Sequence, residues 1–136
     1  MENRSFALFF LRTLLGLLFF MQGFGKVFKY GVEGVYQSAF QSFEAGILPK
    51  WLLWSTAYFT SYVELIAGLL LILGLFRKEA LYLLALVLLI VSFGHGLQQP
   101  IWDLSHVMPR SILLVSLLLL PSNWDYWHLD RILRKK

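Results

Sequence analysis

A glutamate stands inside a long apolar run. Glu64 is the one charged residue between Trp51 and Phe76, and it falls near the middle of that stretch. An ionised side chain at the centre of a bilayer costs about 3 kcal/mol or more. The carboxylate must therefore be protonated, paired with a cation or wetted. A depth count suggests a partner. Glu64 lies about 18 Å above Phe76 and Arg110 about 15 Å above Leu120 at the helical rise. The two can meet if the last apolar stretch ends at Leu120. If that stretch runs on toward Trp127, Arg110 moves to the outer interface and the pairing weakens. Both registers are open.

Other polar groups climb to the same half of the membrane. His95 and His106 sit roughly 21–23 Å up their stretches, and Gln22 about 24 Å up the first, with Lys26 one turn higher. The inner half contributes little beyond Arg12, which can snorkel to the nearer interface. The candidate site is therefore a polar, outward-facing pocket formed by Gln22, Lys26, Glu64, His95, His106 and Arg110. Plainer roles compete at each position. Glu64 and Arg110 can form a structural ion pair, and Lys26 can snorkel to headgroups. His95, between Gly94 and Gly96, can close a helix end. His106 suits an interfacial loop and His128 the surface. A bis-histidine haem on His95 and His106 is disfavoured, because their short connection keeps both at the rim. Zinc on His95, His106 and Glu64 is weaker still.

These residues need helices to carry them. Four apolar stretches occur, at about 6–28, 51–76, 80–97 and 104–120. A span needs about 20 residues. The second and third meet that length directly, and the first and fourth do so if their basic residues face other helices or snorkel. Between the first two, Val32, Val35, Tyr36, Ala39, Phe40 and Phe43 recur at helical spacing among polar residues. That pattern predicts a short amphipathic helix, and its lack of Lys and Arg favours capping the bundle over lying on lipid. The fold class is thus an all-α membrane protein, a four-transmembrane-helix bundle with a short amphipathic helix in the first outer loop. The chain reads as a single integral membrane domain over 1–136.

Composition agrees. Of 136 residues, 58% are hydrophobic and only 15% charged, against about a quarter charged in soluble domains. Mean hydropathy is +0.66. With no cysteine, disulfide, thiolate-metal and dithiol chemistry are excluded. The net charge of +4 reads as topology rather than nucleic-acid binding. Eight of the twelve basic residues fall on the side of the two ends and the Arg77-Lys78 loop, which places both termini in the cytoplasm. The first stretch has no small-x-small cleavage site and reads as a retained span. Gly16, Gly23, Gly25, Gly68 and Gly74 read as close-packing positions between helices.

The order of these motifs resembles the DoxX family of small four-span membrane proteins. Arg12-Thr-Leu-Leu-Gly16 and Gln22-Gly-Phe-Gly-Lys26 look like that family's opening pattern. Glu64 through Gly68 and Gly74 to Arg77 looks like its second-span pattern. Trp127-His128-Leu129-Asp130-Arg131 resembles its terminal segment, with His128 in place of serine. Lys26 and Glu64 are matched positions, His95 and Arg110 plausible ones, and His106 has no counterpart.

The resemblance implies an inner-membrane, multi-pass subunit of a redox-linked envelope complex. The family's name comes from a subunit of an archaeal thiosulfate:quinone oxidoreductase. Quinone is then the candidate ligand, since a quinone needs an apolar slot with hydrogen-bond partners at its carbonyls. Phe19, Phe20, Phe24, Tyr58 and Phe59 offer the slot. Expected partners are the lipid bilayer, other envelope subunits and a second copy of the chain. The competing reading is a non-catalytic anchor or assembly subunit. A lipid or small-solute binding protein, or a transporter, ranks last, as one four-helix unit leaves little room for alternating access, although the same pocket could hold a lipid in place of a quinone.

Overall fold

The computed structural model describes residues 2–99, 101 and 103–133. Their order is α1 (Glu2–Phe24), a π-turn (Gly25–Lys29), α2 (Gly31–Val35), a second π-turn (Tyr36–Phe40), a 3-10 turn (Gln41–Ala45), α3 (Lys50–Leu73), α4 (Arg77–Gln98), α5 (Met108–Leu119), a 3-10 turn (Ser122–Trp124) and α6 (Leu129–Leu133). Among the described residues, three helical segments are long and apolar enough to cross a membrane: Glu2–Lys29, Lys50–Leu73 and Arg77–Gln98. Between 28 and 39% of each span is buried, so most of their apolar surface is left for lipid.

The expected fourth span over 104–120 is shorter than the hydropathy implied. Its helix starts only at Met108, with Pro109 in the first turn. Twelve residues cover about 18 Å, against a hydrocarbon core of roughly 30 Å. The lost turns have a local cause. The Asp103 side chain accepts the Ser105 amide and hydroxyl, a turn that competes with helix.

The seam between α1 and α3 is set by glycine. A Cβ on Gly16 would lie 2.8 Å from the Gly68 carbonyl oxygen, and one on Gly68 would lie 2.4 Å from the Phe20 nitrogen. Backbone contact of this kind is how small residues draw membrane helices together. Gly25 has no such contact; its nearest neighbour, the Tyr30 ring, stands 4.0 Å away. Leu15, Phe19, Leu71, Leu84 and Leu117 fill the core between α1, α3, α4 and α5.

The outer loop folds as one α-turn, one π-turn and one 3-10 turn rather than a single α-helix. Its apolar residues still face inward, except Ala39, which is exposed. Val32 and Tyr36 are buried with Leu53 and Ala57 of α3, and Phe40 and Phe43 pack against them. Tyr36 stacks on Trp54 at 3.8 Å between ring centres.

At the opposite end, α3 stops at Gly74, whose φ of +71° suits a residue without a Cβ. The Leu75 N–H closes on the Leu70 carbonyl at 2.9 Å. The chain then turns through Phe76 at φ +46°, uncommon for a bulky residue. Its amide donates to the Asp130 carboxylate at 3.0 Å. The C-terminal tail is thus folded back over the bundle end and fastens the turn between α3 and α4.

Candidate functional site

Gly23 determines where α1 meets Glu64. A Cβ there would come within 2.2 Å of the Leu65 nitrogen and 2.8 Å of the Glu64 carbonyl carbon. With only hydrogen at that point, α1 lies against the backbone that carries the carboxylate. Lys26, three residues on, shares that face of the helix. The intervening π-turn, closed by the Tyr30 N–H on the Gly25 carbonyl at 2.9 Å, widens the helix. Such turns often occur at functional sites.

The result is an ion pair. Lys26 Nζ stands 2.7 Å from Glu64 Oε2, with side-chain exposures of 28% and 3%. The cation that closes on Glu64 is therefore Lys26. Arg110 stays within electrostatic reach of the carboxylate, while its guanidinium lies 5.6 Å from the centre of the Phe19 ring. The depth count missed this order because each stretch was measured from its own inner end, whereas Gly23 sets α1 directly against Glu64. Two cations and one carboxylate share this neighbourhood, and their attractions are strong where water is scarce.

The remaining candidates lie elsewhere. Gln22 is half-buried on α1, one turn below Lys26. His95 is exposed near the end of α4, and His106 is exposed in the turn before α5. His106 belongs with Asp103. That carboxyl is held below its usual range chiefly by the Ser105 hydroxyl and amide, with a smaller pull from His106. Of the six candidates, the geometry brings Lys26 and Glu64 into contact and Arg110 near them.

A second buried constellation has no counterpart in the sequence expectations. Arg12 does not snorkel; it is 1% exposed. Its Nε donates to Asp125 Oδ2 at 2.8 Å. Nη1 donates to the Leu71 carbonyl and, at 2.9 Å, to the Ile72 carbonyl. Nη2 donates to the Trp127 carbonyl at 2.7 Å. The guanidinium caps the C-terminus of α3, where carbonyls lack helical partners and the helix dipole favours a cation. Arg77 does the same for α5, donating through Nη2 to the Leu117 and Leu120 carbonyls. Arg12 was visible as a basic residue in an apolar helix. Asp125 gave no signal, because it lies in a tail without periodicity. His128, expected at the surface, is half-buried, with its backbone and Cβ against Gly74.

Among the described residues, two clefts on the bundle stand out. One, of about 1110 Å³, lies at the end carrying both termini and includes Arg12, Arg77 and Asp125 in its wall. The other, about 410 Å³, is almost wholly apolar and lies between Phe40 and Phe43 of the outer loop and α3 and α4. None of the six sequence candidates lines either one.

A family model described as DoxX matches residues 7–96. The matched segment contains Arg12, Gly16, Gly23, Lys26, Glu64, Gly68 and Gly74, and ends before α5 and the tail that supplies Asp125. No curated protein and no solved structure matches the chain.

Proposed function

The chain belongs to the DoxX family, and from that membership we propose that it is a quinone-facing membrane subunit of a redox-linked envelope complex. The observation that carries this reading is the Lys26–Glu64 pair at 2.7 Å. Ionisable residues at membrane depth are costly and mark functional sites by default. A buried ion pair is also weak evidence for a purely stabilising role.

The donor set fits a quinone headgroup. The Lys26 ammonium has three N–H donors, one of them committed to Glu64. With more than a quarter of its side chain exposed, it can be reached from outside the bundle. The Glu64 carboxylate holds or releases a proton beside it. A quinone, when bound, would accept electrons, and these would come from a partner subunit or a bound cofactor, since a chain without cysteine has no thiol couple. The excess of basic residues on the side of the two ends supports a cytoplasmic orientation for that side, and the reading puts the bundle in the inner membrane.

The test is binding of a water-soluble quinone analogue to the purified protein, followed by quenching of tryptophan fluorescence. The expected result is saturable binding that weakens about tenfold or more in Lys26→Gln, which loses a charge-assisted hydrogen bond. No binding, or binding indifferent to Lys26→Gln and Glu64→Gln, overturns it. A second reading, a non-catalytic assembly subunit, is favoured by one observation: the pair is closed on itself and lines neither cleft. A stoichiometric partner that co-purifies equally with wild type and Glu64→Ala supports that reading.

A further inference from the structure

The larger cleft lies between the start of α4 and the end of α5, where the spanning segment α4 begins. Its lining is of two kinds. Arg77, Lys78 and Arg131 supply positive charge, while Leu118, Leu119 and Tyr82 continue the wall along the helices. Leu119 and Tyr82 are 79% and 61% exposed, so the apolar part of the wall opens sideways from the bundle.

The acids of the cleft are Glu79, Asp125 and Asp130. Asp125 is committed to Arg12, and Asp130 accepts the Phe76 amide. Glu79 and Asp130 keep their charge against three cations, Arg77, Lys78 and Arg131, which leaves an excess of one positive charge. Arg77 is anchored through Nη2 on the α5 carbonyls, and its Nη1 is buried without a hydrogen-bond partner among the described residues. Lys78 is exposed and forms no ion pair among the described residues. The Arg131 guanidinium lies over the Tyr126 ring, 4.5 Å from its centre. The basic excess is therefore built into a cleft of about 1110 Å³ and not spread over an open surface.

We propose that this cleft binds the headgroup of an anionic phospholipid, with the phosphate between Lys78 and Arg131 and an acyl chain along Tyr82, Leu118 and Leu119. Basic pockets between membrane helices recognise such headgroups. The sideways apolar wall favours an amphiphile over a soluble phosphate, which shares the same recognition chemistry. The site is separate from Lys26 and Glu64 and does not depend on the quinone reading.

The experiment is native mass spectrometry of the full chain with phosphatidylglycerol, phosphatidylcholine or glycerol phosphate. Retention of phosphatidylglycerol over phosphatidylcholine is expected, falling about fivefold for each cation removed in Lys78→Gln and Arg131→Gln. Neither side chain is buried, so both variants fold, and helical content by circular dichroism confirms it. Equal retention of the two lipids overturns the proposal, as does unchanged preference in the double variant. Glycerol phosphate retained as well as phosphatidylglycerol overturns the lipid assignment in favour of a soluble phosphate.

Discussion

Arg12 and Asp125 close on each other at 2.8 Å with side-chain exposures of 1% and 3%, tying the first helix to the tail that follows the last long one. The same guanidinium holds the final carbonyls of α3. One side chain thus joins three parts of the chain, and its four acceptors use most of its donor capacity.

Asp125→Ala leaves that guanidinium buried without its counter-charge. Removing one partner of a buried pair costs about 3–5 kcal/mol. The expected outcome is a lower thermal midpoint in detergent and rapid proteolysis of the tail. Replacing both partners by leucine costs less than Asp125→Ala alone. Equal losses in the two variants mean that the charge pair is not what holds the tail.

A similar asymmetry applies to Lys26 and Glu64. Lys26→Met strands a carboxylate that is 2% exposed and destabilises the fold by about 3–5 kcal/mol. Adding Glu64→Leu recovers much of that loss. A double-mutant cycle from denaturant unfolding measures the coupling; zero coupling contradicts the pairing.

Gly23 and Gly68 predict opposite behaviour from Gly96. Alanine at either seam position forces α1 and α3 apart, at a cost of about 1–3 kcal/mol for overpacking. A Cβ on Gly96 meets nothing within 4 Å. Gly96→Ala therefore stabilises α4 by roughly 0.5–1 kcal/mol, as expected for glycine in a helix. Unfolding midpoints of the three variants decide the matter.

The outer cap carries a pH response. The Tyr36 hydroxyl donates to Glu44 Oε1 at 2.5 Å. Its pKa is pushed up to about 12, by burial first and by Glu44 second, while the Tyr36 hydrogen bond lowers that of the Glu44 carboxyl. Glu44 is depressed on folding, so its contribution is present above the ordinary carboxylate range and lost as pH falls through the depressed value. Tyr36 is raised, so its contribution is complete below 10 and lost as pH climbs toward about 12. Trp54, stacked on Tyr36, reports both limits by fluorescence. Tyr36→Phe should remove the alkaline change and move the acid change upward in pH. An alkaline change that persists in Tyr36→Phe belongs to another group.

Much of the fold is readable from hydropathy, because a span is a property of about 20 consecutive residues. The fourth helix is the exception. Apolar composition over 104–120 hides a turn set by Asp103 and Ser105, whose effect is local and polar. Glu64 is legible as a charge in the wrong solvent. Its partner is not, since depth counts measure each helix from its own end and say nothing of how far two helices slide past each other, which Gly23 sets here. Arg12 is misread for a related reason. A snorkelling arginine and a clamped one look alike when the clamp is a tail aspartate 113 residues away.

That separation bears on how the molecule is made. Synthesis delivers Arg12 to the membrane long before Asp125 leaves the ribosome, so the first helix must wait with its guanidinium unneutralised. A segment that emerges late completes one that inserts early. Chains halted before Asp125 should then be cleared faster than chains that contain it in a pulse-chase measurement, and Arg12→Leu should lengthen the lifetime of the halted chains. The clamp would then separate copies whose two segments have joined from copies in which they have not.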